Sequence, residues 1–275
     1  MFMRRIFLLC LSLFLFAGCS DDLLLNKLDT NATGTVEKKT QLVEPIEFEV
    51  NGVVFRMGKV ESGSFSMGSN IDAENASPIN QVSLSDFYIG ETEVTQALWY
   101  EVMGEDISAE ISLNLPVASV SWDDCQKFIL NLNKLTGQTF SLPTEAQWEF
   151  AARGGILSKN YLYAGCSIDD IDDFVWLWDN SSGRAHIVAT KYPNELGLYD
   201  MNGNVSEWCS DWYDVYSEYG STDPKGPVSA TYKVVRGGSW LDEMQDCTVS
   251  NRMWALPCNS SAGIGLRLVL ESYVE

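Results

Sequence analysis

The chain has 275 residues, 45% of them hydrophobic, which is enough to bury the core of one large domain or of a domain with a tail. Its formal net charge is −20, so we expect it to repel nucleic acid and anionic lipid head groups. A single histidine, His186, excludes a metal site built from several histidines and argues against a histidine-based catalytic triad.

The N-terminus has the pattern of a secretory signal. Arg4 and Arg5 precede the apolar run IFLLCLSLFLFAG, which is too short to span a membrane comfortably. The FAG-C sequence at the end of this run resembles a bacterial lipobox, in which Cys19 becomes the lipidated first residue. The sequence therefore predicts a lipoprotein signal peptide over residues 1–18 and a lipid anchor in the membrane at Cys19. A simple signal peptide cut nearby and an uncleaved anchor are the alternatives.

A polar segment follows the anchor. Residues 19–45 are rich in turn-forming residues and lack sustained periodicity, which predicts a flexible tether. The start of this segment, Ser20-Asp21-Asp22, resembles the acidic export signal of surface lipoproteins in Bacteroidetes-like bacteria. That resemblance implies an outer-membrane, surface-exposed location in the cell envelope. Residues 46–275 form the predicted folded domain.

In the first half of this domain, turn and capping residues mark where strands and helices begin and end. Asn51-Gly52 between two alternating runs is typical of a β-hairpin. Capping residues precede each amphipathic run and glycines follow it. The predicted strands cover 46–57 as a hairpin, 59–67 and 82–89, and the predicted helices run from Thr95 to Gly104, Ser121 to Gly137 and Thr144 to Gly155.

The second half of the domain has a different composition. From residue 156 onward, tryptophan, glycine, asparagine and short polar runs dominate, and brief strands are predicted near 232–238 and 265–271. Folds with so little regular strand and helix structure are often held together by bound ions, aromatic packing or disulfides. We therefore expect an irregular, loop-rich α+β fold.

Seven stretches, in this order along the chain, resemble the formylglycine-generating enzyme family, also called the sulfatase-modifying factor family. The resemblance covers about residues 48 to 271 and implies that family's variant of the C-type lectin fold. The stretches are GSFSMGS (63–69), FYIGETEVTQALW (87–99), PVASVSWDDCQKF (116–128), SLPTEAQWEFAARGG (141–155), GLYDMNGNVSEWCSDW (197–212), VVRGGSW (234–240) and GLRLV (265–269).

The resemblance implies a copper site in RGGSWLDEMQDC (236–247). The family's oxidases convert a sulfatase cysteine to formylglycine with copper held by two cysteines, and thiolates suit Cu(I) because both are soft. Cys247 stands at the second of these positions, but Asp242 stands at the first, and a carboxylate is a hard ligand. A copper site is therefore not expected, unless Cys209 or Cys258 supplies the missing sulfur.

The resemblance also implies a calcium site in GLYDMNGNVSEW. Carried over residue by residue, its ligands are Asp200, Gly203, Val205 and Glu207. Two carboxylates and two carbonyl groups supply a good share of the six to eight oxygens that calcium takes. The alternative is that Asp200 and Glu207 only cap turns.

Five cysteines remain beyond Cys19, so at least one thiol stays free in an oxidising compartment. The segments of Cys209 and Cys247 are near each other in the family, and the resemblance implies a disulfide between them. Such a bond would remove Cys247 from any chemistry.

Three functions remain open from the sequence. The first is a lipid-tethered binding or scaffold module for an envelope protein or glycan, without copper oxidase activity. The second is a formylglycine-generating oxidase with exported sulfatases as its partners, in which Cys247 is catalytic. The third is a structural envelope lipoprotein without a specific ligand. Asp242 favours the first and third, because it removes half of the copper site.

Overall fold

The computed structural model of the chain describes residues 44–71, 73–105 and 112–273. All of these belong to one structural unit, Gln41–Glu275. The predicted signal peptide, Cys19 and almost all of the predicted tether lie outside the described residues. Among the residues that are described, no helix combines the length and the apolar character needed to cross a membrane.

The predicted hairpin opens this unit. Asn51 and Gly52 both have positive φ, at 50° and 88°, and join two antiparallel strands in the register Val50 to Val53. Two central residues with positive φ give the turn the twist of the strands that it connects. The hairpin is confirmed, and its second strand runs on to Val60.

The hairpin forms one edge of a five-stranded sheet. Short strands from distant parts of the chain complete the sheet, so the N- and C-terminal halves of the domain are joined in one ladder. In sheet order the strands are β1 (Ile46–Val50), β2 (Val53–Val60), β5 (Phe87–Gly90), β12 (Val269–Leu270) and β6 (Phe140–Ser141).

All three predicted helices are present with their predicted N-caps. The hydroxyls of Thr95, Ser121 and Thr144 each accept a hydrogen bond from the amide three residues later, and the last two close full capping boxes. The third helix ends two residues before the predicted glycine stop. The helices are α1 (Gln96–Met103), α2 (Trp122–Thr136) and α3 (Glu145–Ala152), followed by the one-turn helix α4 (Ile171–Phe174).

Two smaller sheets complete the domain, and the rest is turns and irregular backbone. The predicted irregular α+β fold class is thus confirmed. The second sheet contains, in order, β10 (Arg252–Ala255), β9 (Lys233–Arg236), β7 (Ser206–Trp212) and β11 (Ile264–Gly265), and the third contains β3 (Gly63–Met67), β4 (Asn80–Leu84) and β8 (Ser221–Thr222).

The strand predictions differ from the structure in two respects. The runs 59–67 and 82–89 are each divided between two strands of different sheets. Strands β6, β7, β8 and β10 were not predicted. The longest of them, β7, has most of its residues buried on both faces, so its sequence lacks the alternation of a half-exposed strand.

Strands β7 and β9 position the residues singled out by the sequence. They are antiparallel neighbours, with Glu207 opposite Arg236. The calcium-like loop leads directly into β7, and the glycine turn leaves the end of β9. The two loops therefore meet: the amide of Gly203 donates to the carbonyl of Gly237 at 3.0 Å, and the amide of Trp240 donates to the carbonyl of Asn204 at 2.9 Å.

Candidate functional site: the glycine turn and its neighbours

Asp242 closes the turn that follows the two glycines. Gly237 and Gly238 have φ of 100° and 70°, a region that glycine enters without strain. The carboxylate of Asp242, three residues after Ser239, accepts hydrogen bonds from the Ser239 amide at 2.8 Å and from the Ser239 hydroxyl at 2.6 Å. Both bonds end on the same carboxylate oxygen. At the position that holds a cysteine in the family's copper site, this chain thus has a carboxylate that caps a turn.

Cys247 lies at the end of the same segment, buried in an apolar cluster. It shares this cluster with Tyr163, Cys166, Val175 and Leu177. Burial raises the pKa of the Cys247 thiol, and the negative charges of Asp242 and Asp246 raise it further. A thiol with a raised pKa stays protonated at neutral pH, whereas metal binding and nucleophilic attack need the thiolate.

The structure does not form the expected Cys209–Cys247 disulfide. Both thiols are free, and Cys209 belongs to a different buried cluster, around Phe87 and Trp148. The sequence could not indicate this, because it does not show towards which side of β7 the Cys209 side chain packs. Cys258 is exposed and free. The cysteine that does share the cluster of Cys247 is Cys166, which the sequence analysis did not single out.

These residues do not fit a copper site. The one carboxylate is engaged by Ser239, and the one thiol is buried and protonated. Cu(I) needs soft ligands in a thiolate state, and this turn offers one hard ligand instead.

The predicted calcium ligands come together only in part. The Glu207 carboxylate accepts hydrogen bonds from Arg267 at 2.7 and 2.9 Å and from the Trp148 indole at 2.7 Å, and all three side chains are buried. The guanidinium of Arg267 already places a positive charge against the Glu207 carboxylate. One oxygen of Asp200 accepts a hydrogen bond from the Ala189 amide at 2.7 Å.

A carboxylate that the sequence analysis missed lies close to Asp200. Glu93 is fully buried, and neither of its oxygens has a hydrogen-bond partner among the described residues. Burial raises the pKa of Glu93 well above its ordinary value, and the charge of Asp200 raises it further. Burial also raises the pKa of Asp200, to about 6. An unpaired buried carboxylate is stable only when it is protonated or when a cation lies against it. Glu93 and Asp200 are therefore the pair of buried carboxylates whose charge the described residues leave least compensated.

The surface around the glycine turn is apolar. Trp178 is 57% exposed, Met244 42% and Leu241 39%. Trp178 lies beside the turn because its amide donates to the carbonyl of Asp242 at 2.9 Å. We call these three residues the turn patch. Its surroundings are acidic, with Asp179, Glu243 and Asp246 as chain neighbours.

Comparison with known proteins agrees with this fold. Residues 46–272 match the Sulfatase-modifying factor enzyme 1-like domain. The chain belongs to this family. The family thus spans nearly the whole described part of the chain, and the resemblance found in the seven sequence stretches is confirmed.

Relatives in the family carry different names. The chain is 28% identical to the "Chaperone protein LppX" of Paenibacillus barcinonensis, over 70% of this chain and 80% of the relative. It is also 28% identical to the formylglycine-generating enzyme of Streptomyces coelicolor, over 76% of this chain and 87% of the enzyme. Among solved structures, Treponema denticola variable protein 1 has a TM-score of 0.74 and 30% identity, over 83% of this chain and 99% of that one. Membership of the family therefore fixes the fold but not the activity.

Proposed function

We propose that this protein is a lipid-anchored binding module of the cell envelope that does not generate formylglycine. The proposal rests on the two residues, Asp242 and Cys247, that stand where the family's oxidases have their copper-binding cysteines. Asp242 caps the glycine turn through Ser239, and Cys247 is a buried, protonated thiol. Copper, oxygen and a substrate cysteine would all need access to a pair of thiolates, and this turn does not offer one.

The turn patch supports a role in binding. Apolar side chains grouped on a surface with a polar rim mark interaction sites in soluble domains. The rim here is acidic, and the whole chain carries a net charge of −20. The partner that this chemistry favours is a polypeptide with apolar side chains flanked by lysine or arginine. A relative named as a chaperone is consistent with such a partner.

The binding role can be tested with synthetic peptides. Two peptides with the same leucine and phenylalanine positions, one flanked by lysine and the other by glutamate, are titrated against the purified domain while tryptophan fluorescence is followed. We expect the lysine peptide to bind, to bind more weakly as salt is added, and to lose at least tenfold in affinity in a Trp178→Ala, Met244→Ala double variant.

A matched control is available on β10. Trp254 is also about half exposed, and Trp254→Ala should leave peptide binding unchanged. Equal affinity for the lysine and glutamate peptides, or equal binding by the double variant and the wild-type chain, would contradict the proposed binding face.

The anchor is the second part of the proposal. Lipidation at Cys19 would tether the domain to the membrane through residues 19–45, with an outer-membrane location as the expected one. Intact-mass measurement of the protein from membranes should show the lipid increment on a chain that begins at Cys19. A Cys19→Ser variant should lose the increment and leave the membrane fraction. An unmodified mature chain that begins elsewhere would exclude the anchor.

Calcium binding is the third part. Glu93 and Asp200 would hold the ion, together with the backbone carbonyls of Gly203 and Val205 that the family resemblance implies. The unpaired carboxylate of Glu93 supports this set of ligands. The ion pair of Glu207 with Arg267 argues against the set that includes Glu207. Bound calcium would supply the positive counter-charge that the Glu93 carboxylate lacks, and it would stabilise the folded loops.

The alternative function is a formylglycine-generating oxidase that acts on exported sulfatases. Relatives named formylglycine-generating enzyme and the retained Cys247 favour it. A sulfatase reading frame next to the gene for this chain would give the oxidase a substrate, whereas its absence would favour the binding module.

A further inference from the structure

A cavity with both apolar and polar lining residues lies between the third sheet and helix α3, away from the residues discussed so far. It encloses about 370 Å³, within the range of small-ligand sites, which is roughly 300–1,000 Å³. Residues of β3, β4, α3 and the segment 211–227 line it together with Arg252 of β10, and we call it the β4–α3 cavity. It shares no lining residue with the turn patch, so an inference from it does not rest on the proposed function.

Two buried polar side chains line this cavity. Asn80 is 7% exposed, and its side-chain amide makes no hydrogen bond to any described residue. Asp211 is 5% exposed, and one of its oxygens accepts hydrogen bonds from the Glu145 amide and the Ser210 hydroxyl, both at 3.0 Å. The other oxygen has no partner among the described residues. Buried polar groups normally have partners, so both side chains have hydrogen-bonding capacity left for a ligand.

Glycine at position 226 keeps the space beside Asp211 open. Gly226 has a φ of 69°, and a Cβ at this position would lie 3.0 Å from Oδ1, the Asp211 oxygen that does not accept from Glu145 or Ser210. Any other residue would crowd the carboxylate from the cavity side and would be strained in this conformation. The backbone is thus arranged so that the acceptor is not covered.

The strong charges in the cavity wall are balanced within the protein. Glu145 accepts hydrogen bonds from Arg252 at 2.6 and 2.9 Å, and Lys225 lies 3.5 Å from Glu271. Burial raises the pKa of Asp211 to about 7, and the charge of Glu145 contributes to this rise. Below pH 7 the cavity therefore presents hydrogen-bond donors and acceptors with little free charge, which disfavours a strongly charged ligand.

Aromatic rings complete the site. Tyr219 and Trp212 both line the cavity, and the Tyr219 side chain is 82% exposed. A ligand that suits both the aromatic rings and the polar floor has apolar C–H faces together with several hydroxyl groups. Hydroxyl groups can donate to the free oxygen of Asp211 and both donate to and accept from the amide of Asn80.

We propose that the β4–α3 cavity binds a neutral saccharide of one or two sugar rings. The hydroxyls contact Asn80 and Asp211, and a ring face packs against Tyr219 or Trp212. An anionic sugar is disfavoured by the exposed carboxylate of Asp214, and a lipid chain would leave the buried polar groups of Asn80 and Asp211 without partners.

Saturation-transfer NMR tests the proposal on the purified domain. The neutral probes are maltose, cellobiose, lactose and chitobiose, and the charged probes are glucuronate and glucosamine. We expect saturation transfer to at least one neutral disaccharide and none to the charged sugars. In a titration with that disaccharide, Asn80→Ala and Asp211→Asn should each weaken binding at least tenfold.

Two further variants keep the result interpretable. Ser217→Trp adds bulk at the exposed rim of the cavity and should also abolish binding, and its side chain is far less buried than that of Asp211. Asp169→Asn, at an exposed aspartate outside the cavity, is the matched control and should bind as the wild-type chain does. Thermal melting confirms that each variant is folded. No transfer to any neutral probe, stronger binding of a charged sugar, or unchanged binding by folded Asn80→Ala would overturn the proposal.

Discussion

Replacing Asp242 by alanine should destabilise the domain by about 2 kcal/mol. The substitution removes the acceptor of two short hydrogen bonds, from the amide and the hydroxyl of Ser239, and leaves both donors without their partner in a half-buried turn. Hydrogen bonds to a charged group contribute ~1.5–3 kcal/mol each, and partial exposure to water reduces this contribution. Loss of a comparable cap at a helix terminus costs ~0.5–2 kcal/mol.

Urea denaturation followed by tryptophan fluorescence measures this loss. Asp242→Asn keeps an acceptor oxygen and should cost less than Asp242→Ala. Glu243→Ala is the matched control, because its exposed carboxylate accepts only from the neighbouring Gln245 side chain. If Asp242→Ala costs no more than Glu243→Ala, the carboxylate is not a structural cap, and its presence at the copper position needs another explanation.

Three further predictions concern buried charges. Arg267→Ala should cost about 3–5 kcal/mol in urea, because it leaves a buried carboxylate without its counter-ion, whereas Arg56→Ala at an exposed pair should have no measurable effect. Burial and the charge of Glu145 raise the pKa of Asp211 to about 7, so the protonated carboxyl contributes stability that is complete below pH 4 and is lost as the pH rises through 7. Asp211→Asn should therefore gain stability relative to the wild-type chain over that window. A constant difference between the two in urea denaturation would contradict this. Calcium at one hundred times its Kd should stabilise the wild-type chain by about 2.7 kcal/mol, and Glu93→Gln should abolish this calcium response in thermal melting; an equal response would exclude Glu93 as a ligand.

The local structure followed from short patterns in the sequence. The Asn51-Gly52 turn and the N-caps at Ser121 and Thr144 lie where predicted, because each depends only on residues within one turn of the backbone. The cap at Asp242 had a comparable signal. Ser239 and Asp242 have the spacing of a capping box, and the sequence analysis interpreted this acid only as the replacement for a cysteine.

Features that depend on distant contacts did not follow from the sequence. Strand β7 is buried on both faces, so its pattern is not that of an amphipathic strand. Glu207 was interpreted as a calcium ligand, and only the fold shows that Arg267, 60 residues later, pairs with it. The free state of Cys209 likewise depends on the cluster into which β7 places it.

The candidate site was therefore only partly predictable. The sequence identified the glycine turn, Asp242 and Cys247, because these belong to one continuous motif. It did not identify Glu93, whose significance comes from its burial without a partner near Asp200, or the β4–α3 cavity, whose walls come from five separate segments.

An oxidation assay tests the central claim most directly. The purified domain is loaded with Cu(I) and incubated with oxygen and a sulfatase-type peptide that carries the target cysteine, with the formylglycine-generating enzyme of Streptomyces coelicolor as the positive control. We predict that mass spectrometry finds no formylglycine, because Asp242 is a turn cap and Cys247 is a buried thiol. Formation of formylglycine by the wild-type domain, and its loss in Cys247→Ala, would contradict the account and establish the oxidase function.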